Sequence, residues 1–367
     1  MPITSDQVLT ALRPIIDPDF NKSIVDLGFV KNIEINGDQV AFDIELTTPA
    51  CPVKAEFERA ARERVEALDG VREARVQMTA QTRSASVASP NAEALPGVRN
   101  TIAVASGKGG VGKSTTAINL ALALRATGAS VGVMDADVYG PSLPLLTGVS
   151  GRPQSIDKRI LPLEGYDMKL MSMGFFLTDD SPVIWRGPMV HGLVRQFLTD
   201  VDWGVLDYLI IDCPPGTGDA ALTLTQQAPL SGAVIVTTAN DLSLIDARKG
   251  LQMFQKVNVP VLGIIENMSY FTPPEPEFAG RKYYLFGQGG GRRIADELSV
   301  DFLGEVPIDP RIVEGGDQGR PIVACDPESP TAQTFVGLAG TVARKLSVLA
   351  EDGPKVADAN ITWVTEA

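Results

Sequence analysis

Cysteine is scarce in this chain, and its spacing excludes more than its presence implies. The 367 residues hold three cysteines, Cys51, Cys213 and Cys325, far apart and with no C-x-x-C anywhere. That rules out a disulfide framework. His191 is the only histidine, and a lone histidine in a helix-like segment reads as structural. No uninterrupted apolar run approaches the ~18 residues of a membrane span. The opening residues, MPITSDQVLTALRP, lack the basic start and apolar stretch of a secretory signal. A cytoplasmic protein without a membrane partner is therefore expected. Positive charge is also short: 32 Lys and Arg against 45 Asp and Glu leave a net charge of −13. Broad phosphate contact with nucleic acid needs a clustered basic face, so no nucleic-acid partner is expected.

What is present divides into a small α+β unit and a large α/β one. Residues 1–79 begin with a helical pattern at Val8, Leu9, Leu12, Ile15 and Ile16 after a polar start at Ser5. VKNIEI and QVAFDIEL then flank Asn36-Gly37-Asp38, a hairpin signal, with Val40, Phe42, Ile44 and Leu46 on one face. Phe57, Ala61, Val65 and Leu68 recur at helical spacing up to Gly70, and VREARVQM supplies a last strand. Residues 80–98, rich in Ala, Ser and Pro, read as a linker. Over 99–350 short apolar runs such as TIAVAS, SVGVMDAD, YLIIDCP, AVIVTTA and VLGIIENM alternate with helix-length segments. That pattern predicts a doubly wound, mostly parallel sheet covered on both faces. Residues 351–367 read as an acidic tail.

GKGGVGKS, Gly107 to Ser114, fits the phosphate-binding pattern G-x-x-x-x-G-K-[ST] and lies between a strand-like run and a helical one, the context the motif needs. Gly107, Gly109, Gly110 and Gly112, with Val111, let the backbone turn its N–H groups toward phosphate. The next helix adds its positive N-terminal end. Lys113 is expected on the β- and γ-phosphates, Ser114 on Mg²⁺ and Thr115 on the α-phosphate. These residues predict ATP and Mg²⁺ as ligands and ATP hydrolysis as the activity.

Asp135 and Asp137 end one apolar strand and Asp212 ends another, at the sheet edge where nucleotides bind. Asp212 fits a metal-site acid acting through water, Asp135 the outer shell of the metal, and Asp137 the residue that orients the attacking water. The Gly- and Pro-rich DCPPGTGD places the Gly216 N–H where the γ-phosphate would meet it, as in a two-state switch. Arg186 in WRGPMV is a further candidate near that loop. GQGGGRR, with no phosphate-loop spacing, reads as a loop capping a helix.

The second lysine of the loop, Lys108, resembles the extra lysine of the MinD/ParA/nitrogenase iron-protein class, where it reaches the partner's nucleotide across a homodimer. KGGVGKST, DADVYGPS, WRGPMV, LDYLIIDCPPGTGD, TTANDLSLIDARKG and ENMSYF together resemble the Mrp/ApbC iron–sulfur cluster carrier ATPases. DPDFNKSIVDLG and TTPACP are similar to a small metal–sulfur cluster assembly domain. The resemblance implies a homodimer that delivers clusters from donors to apo-proteins, with Asn267 reading the adenine. Asn267 also reads as a turn-stabilising residue.

Many members of that family hold a bridging cluster on a C-x-x-C just after the NMS segment; here that stretch, SYFTPPEPEFAGRKYYLFG, has no cysteine. Iron–sulfur clusters need soft thiolates, so the family's usual site is missing. Cys51 is the remaining candidate ligand: Pro52 suits a first helical position, and a helix N-terminus lowers a thiol pKa. It also reads as a small residue packed under the helix. Cys213 reads as core, and Cys325 lies in a loop. A positional switch of the MinD/ParA type, without a cluster, and an electron-transfer ATPase are the competing functions.

Overall fold

The computed structural model describes residues 3–51, 53–85, 94–177, 187–278 and 280–352. Arg186, Pro52, the middle of the expected linker and nearly all of the expected tail lie outside them. In the N-terminal unit, α1 (Ser5–Leu12) is capped by Thr4, one residue earlier than expected. The Gln7 N–H donates to the Thr4 hydroxyl, and the Thr4 N–H donates to the Gln7 side chain at 2.9 Å. The helix stops short of Ile15 and Ile16 because Pro14 lacks an N–H and disfavours helical geometry in the residue before it. Ile15 is buried, while Ile16 starts a two-residue ladder, β1 (Ile16–Asp17) with β2 (Lys22–Ser23).

The hairpin β3 (Val30–Asn36) and β4 (Gln39–Leu46) turns at Gly37, with φ of 65°. Val40, Phe42, Ile44 and Leu46 alternate inward and meet Phe57, Ala61 and Val65 of α2 (Lys54–Glu66). β5 (Glu73–Ala80) joins β4 in parallel.

The larger unit runs β6 (Val98–Ala105), α3 (Lys113–Ala126), β7 (Val131–Asp135), α4 (Leu143–Thr147), β8 (Ser155–Ile156), β9 (Arg159–Ile160), β10 (Leu163–Gly165), β11 (Met168–Ser172) and α5 (Gly187–Thr199). It continues through β12 (Leu206–Asp212), α6 (Asp219–Gln227), β13 (Gly232–Thr237), α7 (Asp241–Lys256), β14 (Val261–Glu266) and α8 (Gly290–Glu297). β15 (Phe302–Glu305), α9 (Pro310–Asp317), α10 (Ile322–Cys325) and α11 (Pro330–Asp352) complete it. Eight strands form one sheet in the order β10-β11-β7-β12-β6-β13-β14-β15, parallel except for β10 with β11. This is the doubly wound arrangement that the alternating apolar runs imply.

Both faces are covered, which is why the strands read as unbroken apolar runs. Ile102, Val104, Tyr208 and Ile210 pack with Leu120 and Leu124 of α3 and Phe335 and Val342 of α11. Ala103, Ala105, Leu209 and Ile211 face the other way, toward Leu251 and Phe254 of α7 and Ile294 of α8. The two units touch: Ala50, from the loop after β4, is buried in the α3–α11 layer. Beside it Thr48 Oγ1 and Tyr208 Oη share a hydrogen bond of 2.8 Å.

Candidate functional site

The phosphate-type loop joins β6, at the middle of the sheet, to α3. Gly110 and Gly112 take φ of 82° and 79°, values an L side chain rarely adopts. Gly107 lies flush against α7, where an added Cβ would overlap the Asp246 backbone. Among the described residues, nothing lies within 4 Å of where a Cβ on Gly109 or Gly110 would sit. Val111 is buried and anchors the loop. No side chain caps α3, so its first N–H groups face the open cradle. Ser114 and Thr115 are half-buried at that helix start. Among the described residues, none pairs with the Lys108 ammonium.

Lys113 forms a buried ion pair with Asp212, and its Nζ also lies 3.2 Å from Ser114 Oγ. Burial pushes the Asp212 carboxyl up, against the pull of the Lys113 ammonium and the Ser114 hydroxyl. Asp135 sits beside Asp212 in register on β7, and the Ala136 N–H donates to the Asp212 carbonyl at 2.9 Å. The Asp135 carboxylate is taken up by protein donors: the N–H groups of Asp137 (3.1 Å), Ser142 (3.0 Å) and Leu143 (3.2 Å) and the Ser172 hydroxyl (2.9 Å). It thus shapes the loop that presents Asp137, a duty the expected outer-shell role did not include. Burial, with the nearby Asp212, pushes the Asp135 carboxyl up to about 7. Asp137 is less enclosed and, among the described residues, accepts from the Gly140 N–H alone, at 3.2 Å.

Gly216 has φ of 83°, and its N–H donates to the Ser106 carbonyl at 3.0 Å. The group expected at a γ-phosphate is therefore engaged elsewhere in this conformation. Asn267 is likewise engaged: its amide donates to the Val111 carbonyl at 2.8 Å and presses so close to Gly112 that a Cβ there would overlap it. Next to it a cavity of about 400 Å³ opens between Thr115 on one side and Met268, Phe286, Ile308 and Ile312 on the other. Its mostly apolar walls suit a flat base, and Asn267 lines it together with the polar Thr115, Thr116, Asp309 and Asp317.

The cysteines separate clearly. Cys213 is 1% exposed, and burial pushes its thiol up to about 12. Cys325 is exposed at the end of α10. Cys51 stands three residues before α2, near the helix N-terminus as expected, but the low thiol pKa expected there is not found. Burial, followed by the charges of Asp17 and Asp19, pushes it up and outweighs the Val53 N–H and Arg344. Among the described residues, no three His, Cys, Asp or Glu side chains gather as a metal-holding group. His191 Nε2 and Thr223 Oγ1 share a hydrogen bond of 2.9 Å between α5 and α6.

Glu266 carries a part the sequence reading missed. It is fully buried, and its carboxylate accepts from the Ser269 hydroxyl (2.5 Å) and the Gly291 N–H (2.6 Å), tying the Asn267 turn to the start of α8. An acid ending an apolar strand just before the turn was the available signal. The glycines of GQGGG serve this junction, since a side chain at Gly291 would crowd Glu266.

Residues 97–343 match the family model described as NUBPL iron-transfer P-loop NTPase, and residues 5–78 match that of an iron–sulfur cluster assembly protein. An iron–sulfur cluster carrier protein of Synechocystis is 49% identical over 353 residues, spanning 95% of this chain and 99% of its own. The iron–sulfur cluster transfer protein NUBPL of Mus musculus is 48% identical over 260 residues, 70% of this chain and 81% of its own. A nucleotide-binding protein of Archaeoglobus fulgidus, solved in complex with ADP, is 40% identical with a TM-score of 0.57, covering 66% of this chain and 93% of that one.

Proposed function

The chain belongs to the iron-transfer P-loop NTPase family, and on that premise we propose that it carries iron–sulfur clusters to apo-proteins under the control of ATP binding and hydrolysis. The observation that carries the nucleotide half is the buried Lys113–Asp212 pair at the base of an open, uncapped helix start. The cargo half rests on the relatives, one of which spans 95% of this chain and is named a carrier. That coverage sets aside the cluster-free positional switch.

The residues fit Mg²⁺ and ATP. Small hydroxyl and carboxylate groups at Ser114 and Asp212 are the hard oxygen donors that Mg²⁺ takes, together with phosphate oxygens and water. Mg²⁺ bound there neutralises charge developing on the phosphates. Lys113 exchanges Asp212 for the β- and γ-phosphates when ATP enters, and the N–H groups of Gly109 to Thr115 receive the remaining phosphate oxygens. Asp137, on the loop shaped by Asp135, orients the attacking water. The cavity bounded by Met268 and Phe286 takes the base, with Asn267 on its polar edge. Gly216 meets the γ-phosphate only by releasing the Ser106 carbonyl, so ATP and ADP states differ in this loop. Lys108 is free to reach the nucleotide of a second copy.

The cargo cluster needs about four thiolates, and one chain offers at most Cys51 and Cys325, Cys213 being sealed in the core. Two copies together supply the set. Anaerobic reconstitution followed by iron and sulfide analysis tests this. Cys51→Ser with Cys325→Ser abolishes cluster binding while Cys213→Ser retains it. Full iron in the double variant would refute the assignment, and no iron in the native chain would remove the carrier reading itself.

A further inference from the structure

The loop Thr47-Thr48-Pro49-Ala50-Cys51 both docks the N-terminal unit and carries its thiol. Ala50 is buried in the ATPase core layer, and its N–H donates to Thr48 Oγ1 at 3.1 Å. That same hydroxyl meets the buried Tyr208 across the junction. The Ser347 hydroxyl of α11 donates to the Thr47 carbonyl at 3.5 Å. Cys51 follows directly. It is half-buried, beside a cavity of about 10 Å³ that it shares with Asp17, Asp19, Phe20, Arg344 and Ser347. A single water needs about as much, so nothing larger reaches the thiol from this side.

The seam that closes over the thiol is polar. Arg344 pairs with Asp19 at 3.3 Å and Arg83 pairs with Glu351, while the apolar part of the junction includes the small side chains of Ala50 and Ala85. A second cleft, of about 530 Å³, runs on between Pro18, Asp19, Pro260, Asp301 and Lys345. Interfaces of this kind within a chain part readily unless they are large and hydrophobic.

We infer that the seam is a gate on Cys51: docked, it closes the side of the half-buried thiol that faces Asp19 and Arg344, and separation of Thr48 from Tyr208 opens that side. The gate regulates the thiol that the carrier reading uses, and its biological meaning rests on that reading. A polar latch suits this purpose, because an apolar seam of the same size would hold the thiol closed.

Alkylation of the full-length chain tests the gate, with iodoacetamide as probe and Cys325→Ser as background. Labelling at Cys51 is followed by peptide mass spectrometry, and Cys213 serves as an internal reporter that stays unlabelled while the core is folded. Thr48→Val is expected to speed Cys51 labelling about tenfold, the effect of losing one buried hydrogen bond, and Arg344→Glu, which sets a second carboxylate against Asp19, is expected to speed it as well. Raised salt should speed it as well, by screening the ion pairs. The gate is overturned if Cys51 in the unaltered seam reacts as fast as Cys325 does in the native chain. It is equally overturned if both variants leave the rate unchanged with Cys213 silent. Should Thr48→Val expose Cys213, the surface variant Arg344→Glu decides. Labelling is read without any cluster, so a failed gate leaves the carrier reading standing, and failure to load iron leaves the gate standing.

Discussion

Lys113 and Asp212 face each other beneath the phosphate loop, with only 7% and 4% of their side chains exposed. Each charge is tolerable there only because of the other, and removing one strands its partner. Lys113→Ala is expected to lower the stability of the nucleotide-free protein by roughly 3–5 kcal/mol and to abolish ATP binding. Lys113→Met combined with Asp212→Leu should recover most of that stability in urea denaturation without recovering ATP binding. A double variant as unstable as the single one would contradict the pairing account.

Asp137 lies on a loop whose shape is set by Asp135, so its own carboxylate is available for chemistry. Asp137→Asn is expected to reduce phosphate release by about 100-fold or more while leaving ATP affinity nearly unchanged. Nucleotide titration separates the two effects. Loss of affinity in step with turnover would make Asp137 a binding residue instead.

Asn267 holds the Val111 carbonyl and borders the cavity proposed for the base. Asn267→Ala should cut the preference for ATP over GTP by about tenfold, about one hydrogen bond's worth. Competition binding of the two nucleotides measures it. An unchanged preference would reduce Asn267 to a brace for the loop.

The pH dependence of stability has a marker outside the site. Burial raises the Asp207 carboxyl, but hydrogen bonds from the Ser130 N–H and hydroxyl and the charge of Arg99 bring it below the usual value. A carboxylate lowered in the folded state stabilises above its unfolded pKa of about 3.9, and that stability is lost as pH falls through the folded value. Asp207→Asn is therefore expected to melt lower than wild type at pH 7. The gap should narrow as pH drops below about 4. A gap that is constant with pH would point to packing instead.

Much of the nucleotide site was legible because the phosphate loop is local: glycines, a lysine and a serine between a strand and a helix dictate their own geometry. The parallel sheet was legible from unbroken apolar runs such as YLIIDCP. What escaped depends on contacts between residues remote in sequence. The cavity proposed for the base gathers Leu146, Phe286 and Ile312 from three separate segments, and Thr48 meets Tyr208 across 160 positions. From the sequence, the strand-end position of Asp135 suggests a metal-shell residue. Only the folded loop shows Ser142, Leu143 and Ser172 turned onto its carboxylate. At Cys51 the helix-terminus argument was sound as far as it went, but burial beside Asp17 and Asp19 outweighs it.

The central claim, ATP-controlled cluster delivery, is tested most directly by mixing the anaerobically loaded protein with an apo-ferredoxin and following cluster arrival by circular dichroism. The account predicts that Mg-ATP changes the transfer rate in the native chain and that Asp137→Asn, which binds ATP without turning it over, does not complete the ATP-dependent cycle. Transfer at one rate with or without ATP, in both proteins, would contradict it.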